Sequence, residues 1–219
     1  MSGQGSVDTI VRGGKVVTAG DVADVAIAIK GEKIVALGPE ALLPPAGRVI
    51  DATGKIVFPG AIDCHVHLGP EYDTWSTGPV AAAHQGLTTL VAFAVYDEQK
   101  GETLPHAIEA LQAEAGRQSV VDFGFHYILN KTPYVLDGIA DAVRLGVSSF
   151  KLFMTYKRRG TRMCSDDFIL QAMERIVKAG ALCQLHCENG DVLDYLERKA
   201  IAEGRVHPRE FPGTCPAGR

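Results

Sequence analysis

The order of apolar and polar positions divides the chain in two. Residues 7–58 carry short alternating or β-rich runs, "TIVRGGKVVT", "DVAIAIKGEKIVALG" and "RVIDATGKIVFPG", separated by Gly-containing turns. This pattern predicts a small antiparallel β unit over residues 1–58. From residue 59 to 219 the rhythm becomes strand, then helix. "AIDCHVHL" precedes the helical "TGPVAAAHQG", and "TTLVAFAV" precedes "TLPHAIEALQAEAGR". "VVDFGFHYIL" is followed by "YVLDGIADAVRLG", "VSSFKLFM" by "SDDFILQAMERIVKAG", and "ALCQLHCE" by "GDVLDYLERKAIAEG". Each helical run ends near Gly, as C-terminal capping expects.

Serial strand–helix alternation predicts a parallel sheet with helices packed outside it. About five units are visible, whereas a closed (β/α) barrel needs eight. Two α/β architectures fit: an open doubly wound sheet, or part of a barrel. The tail "VHPREFPGTCPAGR" is Pro/Gly-rich and is read as loop that begins no new element.

Composition narrows the classes. The chain has 219 residues, 46% hydrophobic and 22% charged, with a formal net charge of −4. That is enough apolar mass for a sizeable core, and the mild acidity gives no reason to expect nucleic acid or an anionic membrane as partner. No apolar run approaches the ~20 residues of a membrane span, and "MSGQGSVDTIVRGGK" lacks the apolar core of a leader peptide. A cytoplasmic location is the default expectation. The five cysteines, an odd number, argue against a disulfide framework. "CQLHC" invites a zinc reading of Cys183, His186 and Cys187, but on a strand the two thiols point away from His186, and they are read as small buried side chains.

The chemistry concentrates at strand ends. His65 and His67 form H-x-H at the end of the first strand of the alternating region, and a period of two places both imidazoles on one face, as two ligands of one metal require. Asp63 is read on the same face, where it could orient a ligand. His186 holds the matching place on the fifth strand. Lys151 sits in "SSFKLFM", an apolar strand of the kind buried on both faces. A buried ammonium costs several kcal/mol, as an order of magnitude, unless it is paired or discharged. Desolvation and nearby divalent cations favour the neutral amine, which can add carbon dioxide to become a two-oxygen carbamate able to bridge metals. His126 in "DFGFHYIL" is read as structural, and His84 as a surface residue of a helix.

With "VIDATGKIVFPGAIDCHVHL", "FKLFMTYK", "LHCENGD" and "AEGRVHPREFPGTCP", the chain resembles the dihydropyrimidinase and D-hydantoinase branch of the cyclic amidohydrolases over nearly its whole length. The resemblance implies an α/β fold: a partial TIM-like barrel over 59–219, preceded by a β-sandwich portion over 1–58. It implies two divalent metal ions, zinc above all. His65 and His67 would hold the more buried ion, carboxylated Lys151 would bridge both, and His186 would hold the other. Tyr156 matches the tyrosine that hydrogen-bonds the substrate carbonyl. The implied reaction opens a cyclic amide or imide to an N-carbamoyl amino acid, within a homo-oligomer.

Allantoinase and dihydroorotase are more distant matches. The collapsin response mediator proteins share the fold without enzymatic activity, but they lack the metal-ligand set. The family also carries a later histidine ligand and a metal-binding aspartate for which this sequence offers no counterpart. The chain is therefore read as an N-terminal portion, inactive by itself. The loop "GPEYDTWSTGP" is shorter than the family's usual stretch after the H-x-H, and Glu188 and Asn189 are read as lining the pocket.

Overall fold

The computed structural model describes residues 6–69, 72–95, 103–132 and 134–215. The residues 1–5 read for a leader, Pro70 and Glu71 of the loop after His67, and the last four residues of the tail lie outside these. Two compact units are present, Met1–Gly60 and Ala61–Arg219.

The first unit holds two small sheets. One contains β1 (Val7–Arg12), β4 (Ala26–Lys30), β5 (Lys33–Gly38) and β6 (Ala46–Asp51), in the order β5-β4-β1-β6. The other contains β2 (Lys15–Val17), β3 (Val22–Ala23) and β7 (Ile56–Val57), in the order β3-β2-β7. The expectation of an antiparallel unit is corrected here. β1 pairs with β6 in parallel, and β2 with β7 in parallel, beside antiparallel partners β4 and β3. Alternation has the same period for either strand direction, so the sequence pattern carries no information on it. Val7, Ile10, Ala26 and Ala28 form this unit's core, with Leu43 and Ala46 packed against them.

The second unit is a five-stranded sheet, all parallel, made of β8 (Ala61–Val66), β9 (Leu87–Val95), β10 (Asp122–Ile128), β11 (Ser149–Phe153) and β12 (Leu182–His186). Its spatial order, β12-β11-β10-β9-β8, follows chain order without a reversal. A doubly wound sheet reverses at a switch point and a barrel does not, so the order favours the partial barrel of the two architectures. The connecting helices are α1 (Gly78–His84), α2 (Leu104–Gln118), α3 (Ile139–Arg144), α4 (Asp166–Lys178) and α5 (Gly190–Ala202). Positive-φ glycines, 86, 146, 180 and 204, follow α1, α3, α4 and α5. Gly116 departs from that pattern by lying inside α2.

The strands are two-sided. Ala92, Ala94, Phe125, Tyr127, Phe150 and Leu152 join Ile108, Ile139, Phe168, Ala172 and Ile176 of the helical layer in one core. Each large side chain so buried contributes about 1.5–3 kcal/mol. β11 is therefore not apolar on both faces: Phe150 and Leu152 are 0% exposed, while Lys151 and Phe153, half-buried, take the opposite face. The tail is also more ordered than expected, since Pro208–Gly213 forms a 3-10 turn, with the His207 ring accepting a hydrogen bond from the Arg209 amide at 3.3 Å. No helix among the described residues is long and apolar enough to cross a membrane.

Candidate active site

The sheet face opposite the helical layer carries the chemistry. β8 and β9 pair Asp63 with Leu90 but Val66 with Ala92, so β8 has one extra residue between these points. A bulge of this kind re-aims the side chains beyond it. His65 and His67 lie beside Phe93 of β9, with ring centroids 4.5 and 5.2 Å from it and 5.6 Å from each other. Burial first, then the neighbouring His65 and Arg162, push the His67 imidazole below its ordinary range, favouring the neutral ring that metal binding requires. The expected role of Asp63 is corrected. Its register partner Leu90 shares a face with Ala92, and its carboxylate accepts a hydrogen bond from the His65 backbone amide at 3.0 Å rather than from an imidazole.

A second group surrounds Phe153 at the end of β11. The Lys151 Nζ lies 5.3 Å from the centre of the Phe153 ring, and the Tyr156 and His186 rings stand 5.4 and 5.8 Å from it. Phe153 and His186 are register partners on adjacent strands, and the Met154 amide donates to the His186 carbonyl at 3.0 Å. Tyr156 and His186 are 5.8 Å apart, and Tyr156 adopts φ +70°, a left-handed conformation uncommon for a tyrosine. The His186 Nε2 is bonded to the Glu188 carboxylate. An ionised carboxylate only accepts, so Nε2 carries the hydrogen and Nδ1 keeps a free lone pair. Asn189 faces a different task, capping α5 by accepting from the Val192 amide at 3.1 Å. Thr155, Tyr156, His186, Glu188 and Gly190 line an open cavity of about 520 Å³.

His126 has a role that the sequence did not disclose. Its Nε2 lies 2.9 Å from the Cys64 carbonyl, which can only accept, so Nδ1 is left to accept from the Gln184 amide at 3.0 Å and from the Ser149 hydroxyl. One imidazole thus links β8, β10, β11 and β12 on the face that holds the ligand candidates. Its partners lie far away in sequence, which hid them. His84 is exposed on α1. Cys183 packs against the helical core, whereas Cys187 is exposed rather than buried as expected.

The model of the amidohydrolase family matches residues 56–213. The chain belongs to the amidohydrolase family. Among curated relatives, a D-hydantoinase of Ralstonia pickettii is 40% identical over 209 residues, which are 92% of this chain and 44% of that protein. A dihydropyrimidinase of Arabidopsis thaliana is 31% identical, over 94% of this chain and 39% of that one. A solved D-hydantoinase structure superposes with a TM-score of 0.85 at 38% identity, covering 96% of this chain and 46% of that one. The chain thus spans less than half the length of these relatives.

Amidohydrolases are generally metal-dependent, and the donors here fit a metal in part. Two imidazoles side by side on one face suit one ion, whose nitrogen ligands sit about 2.0–2.1 Å away. His186 presents Nδ1 with its other nitrogen held by a carboxylate, the usual arrangement of a ligating histidine. Among the described residues, however, no three His, Cys, Asp or Glu side chains group closely enough to hold an ion. Lys151 lies on the same sheet face as His65 and His67.

Proposed function

We propose that this chain carries part of the active site of a hydrolase that opens cyclic amides, dihydropyrimidine or hydantoin rings, to N-carbamoyl amino acids. The observation that carries the reading is the convergence of Lys151, Tyr156 and His186 around Phe153, on the sheet face that also presents His65 and His67. His65, His67 and Lys151 would hold one divalent ion, and Lys151 and His186 a second, with zinc the best match to imidazole donors. For Lys151 to serve, its neutral amine adds carbon dioxide, forming an N–C bond and releasing one proton. Two bound ions would supply Lewis acidity and lower the pKa of water.

The chain's own groups do the rest of the positioning. The Tyr156 hydroxyl donates to the ring carbonyl as negative charge grows on its oxygen. Glu188 holds the His186 ring by its Nε2–H, and His126 keeps β8 in register with β11 and β12. With only these donors the second ion has Lys151 and His186, so the chain by itself is expected to bind cyclic amides without turning them over. Assembly of identical chains belongs to the same proposal, supported by the exposure of Ile62 and Leu182 on the edge strands β8 and β12.

The test is calorimetry of hydantoin and dihydrouracil against the chain supplied with zinc and bicarbonate, with product assayed in parallel. Zinc-dependent binding that weakens in Tyr156→Phe is the expected result. Absence of binding at saturating zinc overturns the reading, and turnover overturns the expectation of inactivity.

A further inference from the structure

Arg162 is a half-buried cation for which no carboxylate partner is found among the described residues. Its neighbours in the same loop differ. Lys157 pairs with Asp191 at 2.5 Å, and Arg158 with Asp194 at 2.5 Å. Arg159 is exposed and rests over the Tyr156 ring, 4.6 Å from its centre. Arg162 instead turns inward: its guanidinium carbon lies 5.4 Å from the centre of the Phe153 ring, the same ring that Lys151, Tyr156 and His186 surround.

The backbone holds it there. The Cys164 amide donates to the Phe153 carbonyl at 2.8 Å, Met163 bridges to Phe153, and the Lys131 amide donates to the Thr161 carbonyl at 2.8 Å. A turn closed by the Arg159 amide on the Tyr156 carbonyl at 2.8 Å sets the near side of the loop. Burial and the nearby Arg159 disfavour the charge on Arg162, and Arg162 in turn disfavours a charge on His67. Stacking over an aromatic ring compensates such a cation in part, but its fork of N–H donors has no acceptor among the described residues. The Glu188 carboxylate, which lines the same cavity as Tyr156, is engaged by His186.

A guanidinium fork matches a carboxylate in shape and charge. We propose that Arg162 anchors a carboxylate of the ligand at this site. That carboxylate is either a substituent on the cyclic amide or the group released when the ring opens. The inference rests on the cyclic-amide reading and narrows it to acid-bearing ligands.

The experiment uses the zinc-loaded chain and three probes: hydantoin, hydantoin-5-acetate and N-carbamoylglycine. Affinities are measured by calorimetry for the wild type, Arg162→Gln and Arg162→Lys, with urea midpoints confirming that each variant is folded. One or both carboxylate probes bind the wild type on the order of 10- to 100-fold more tightly than hydantoin. Arg162→Gln abolishes that preference while leaving hydantoin binding within about twofold, and Arg162→Lys retains part of it. Preference for hydantoin-5-acetate alone assigns the carboxylate to the substrate, and preference for N-carbamoylglycine alone assigns it to the product. Equal affinity of all three for the wild type, or a preference that survives in Arg162→Gln, overturns the anchor and leaves the cyclic-amide reading standing. A zinc-loaded wild type that binds no hydantoin overturns that reading and the anchor with it.

Discussion

Glu188 holds His186 by its Nε2, two residues along the chain from it. The bond fixes which ring nitrogen is free, and it does so on a strand end that faces Tyr156. Removing an outer carboxylate of this kind costs roughly 10- to 100-fold in metal affinity. Glu188→Ala should lower zinc affinity by that order in competition with a chromophoric chelator, and Glu188→Gln, whose amide oxygen still accepts, should lower it less. Equal affinities in all three proteins would show that the bond is incidental.

The imidazole of His126 is a cross-strand brace that bonds the buried Ser149 hydroxyl and the Gln184 amide, and its loss leaves these two only their own contact at 3.4 Å. Each hydrogen bond so lost is worth about 0.5–1.5 kcal/mol. His126→Ala is expected to lower the urea-unfolding free energy by about that amount. A change within a few tenths of a kcal/mol would mean that water or rotation of Gln184 restores the bonds.

Gly190 opens α5 against the end of β11. A Cβ there would lie 2.6 Å from the Met154 carbonyl oxygen and 2.9 Å from the Thr155 Cα, both backbone atoms that cannot step aside. Its own amide donates to that carbonyl at 3.0 Å. Gly190→Ala should therefore destabilise the chain by about 1–3 kcal/mol, through overpacking. It should also shift the amide NMR signals of Tyr156 and Glu188, which line the same cavity. Unchanged stability and spectra would contradict the close approach.

Asp194 accepts from Arg158 at 2.5 Å and from Arg198 at 3.1 Å, and the Arg158 bond first among these holds its carboxyl below the ordinary value of 3.8. A carboxylate depressed in the folded state stabilises it above the unfolded-state value, and the contribution fades as pH falls through the folded-state value. The stability gap between wild type and Asp194→Asn should thus be constant from neutral pH down to the ordinary carboxylate range, then shrink on further acidification. Urea midpoints across that range measure it. A gap that widens in acid would contradict the assignment.

Much of the second unit was legible because its strands and helices bury one face each. Phe150 and Leu152 announce a core strand, and the spacing of Phe168, Ala172 and Ile176 announces a helix lying on it. H-x-H and Lys151 were legible as unusual residues at strand ends. What escaped the sequence depends on contacts between distant positions. Alternation cannot reveal that β1 and β6 run parallel, nor that a bulge separates Asp63 from the face of His65. Ser149 and Gln184 look like ordinary polar strand residues until His126 is seen to bond both. Arg162 reads as one charge among four in "KRRGTR", and only the structure shows that it turns toward Phe153 with no carboxylate partner among the described residues.

Lys151 is proposed to serve this site as a carbamate. The most direct measurement is 13C NMR of the chain saturated with zinc in 13C-labelled bicarbonate, compared with Lys151→Ala and with the metal-free chain. One slowly exchanging carbamate carbon is expected in the zinc-loaded wild type, absent from both controls. A spectrum without that signal at saturating zinc, with Lys151 observed as a free amine, would contradict it.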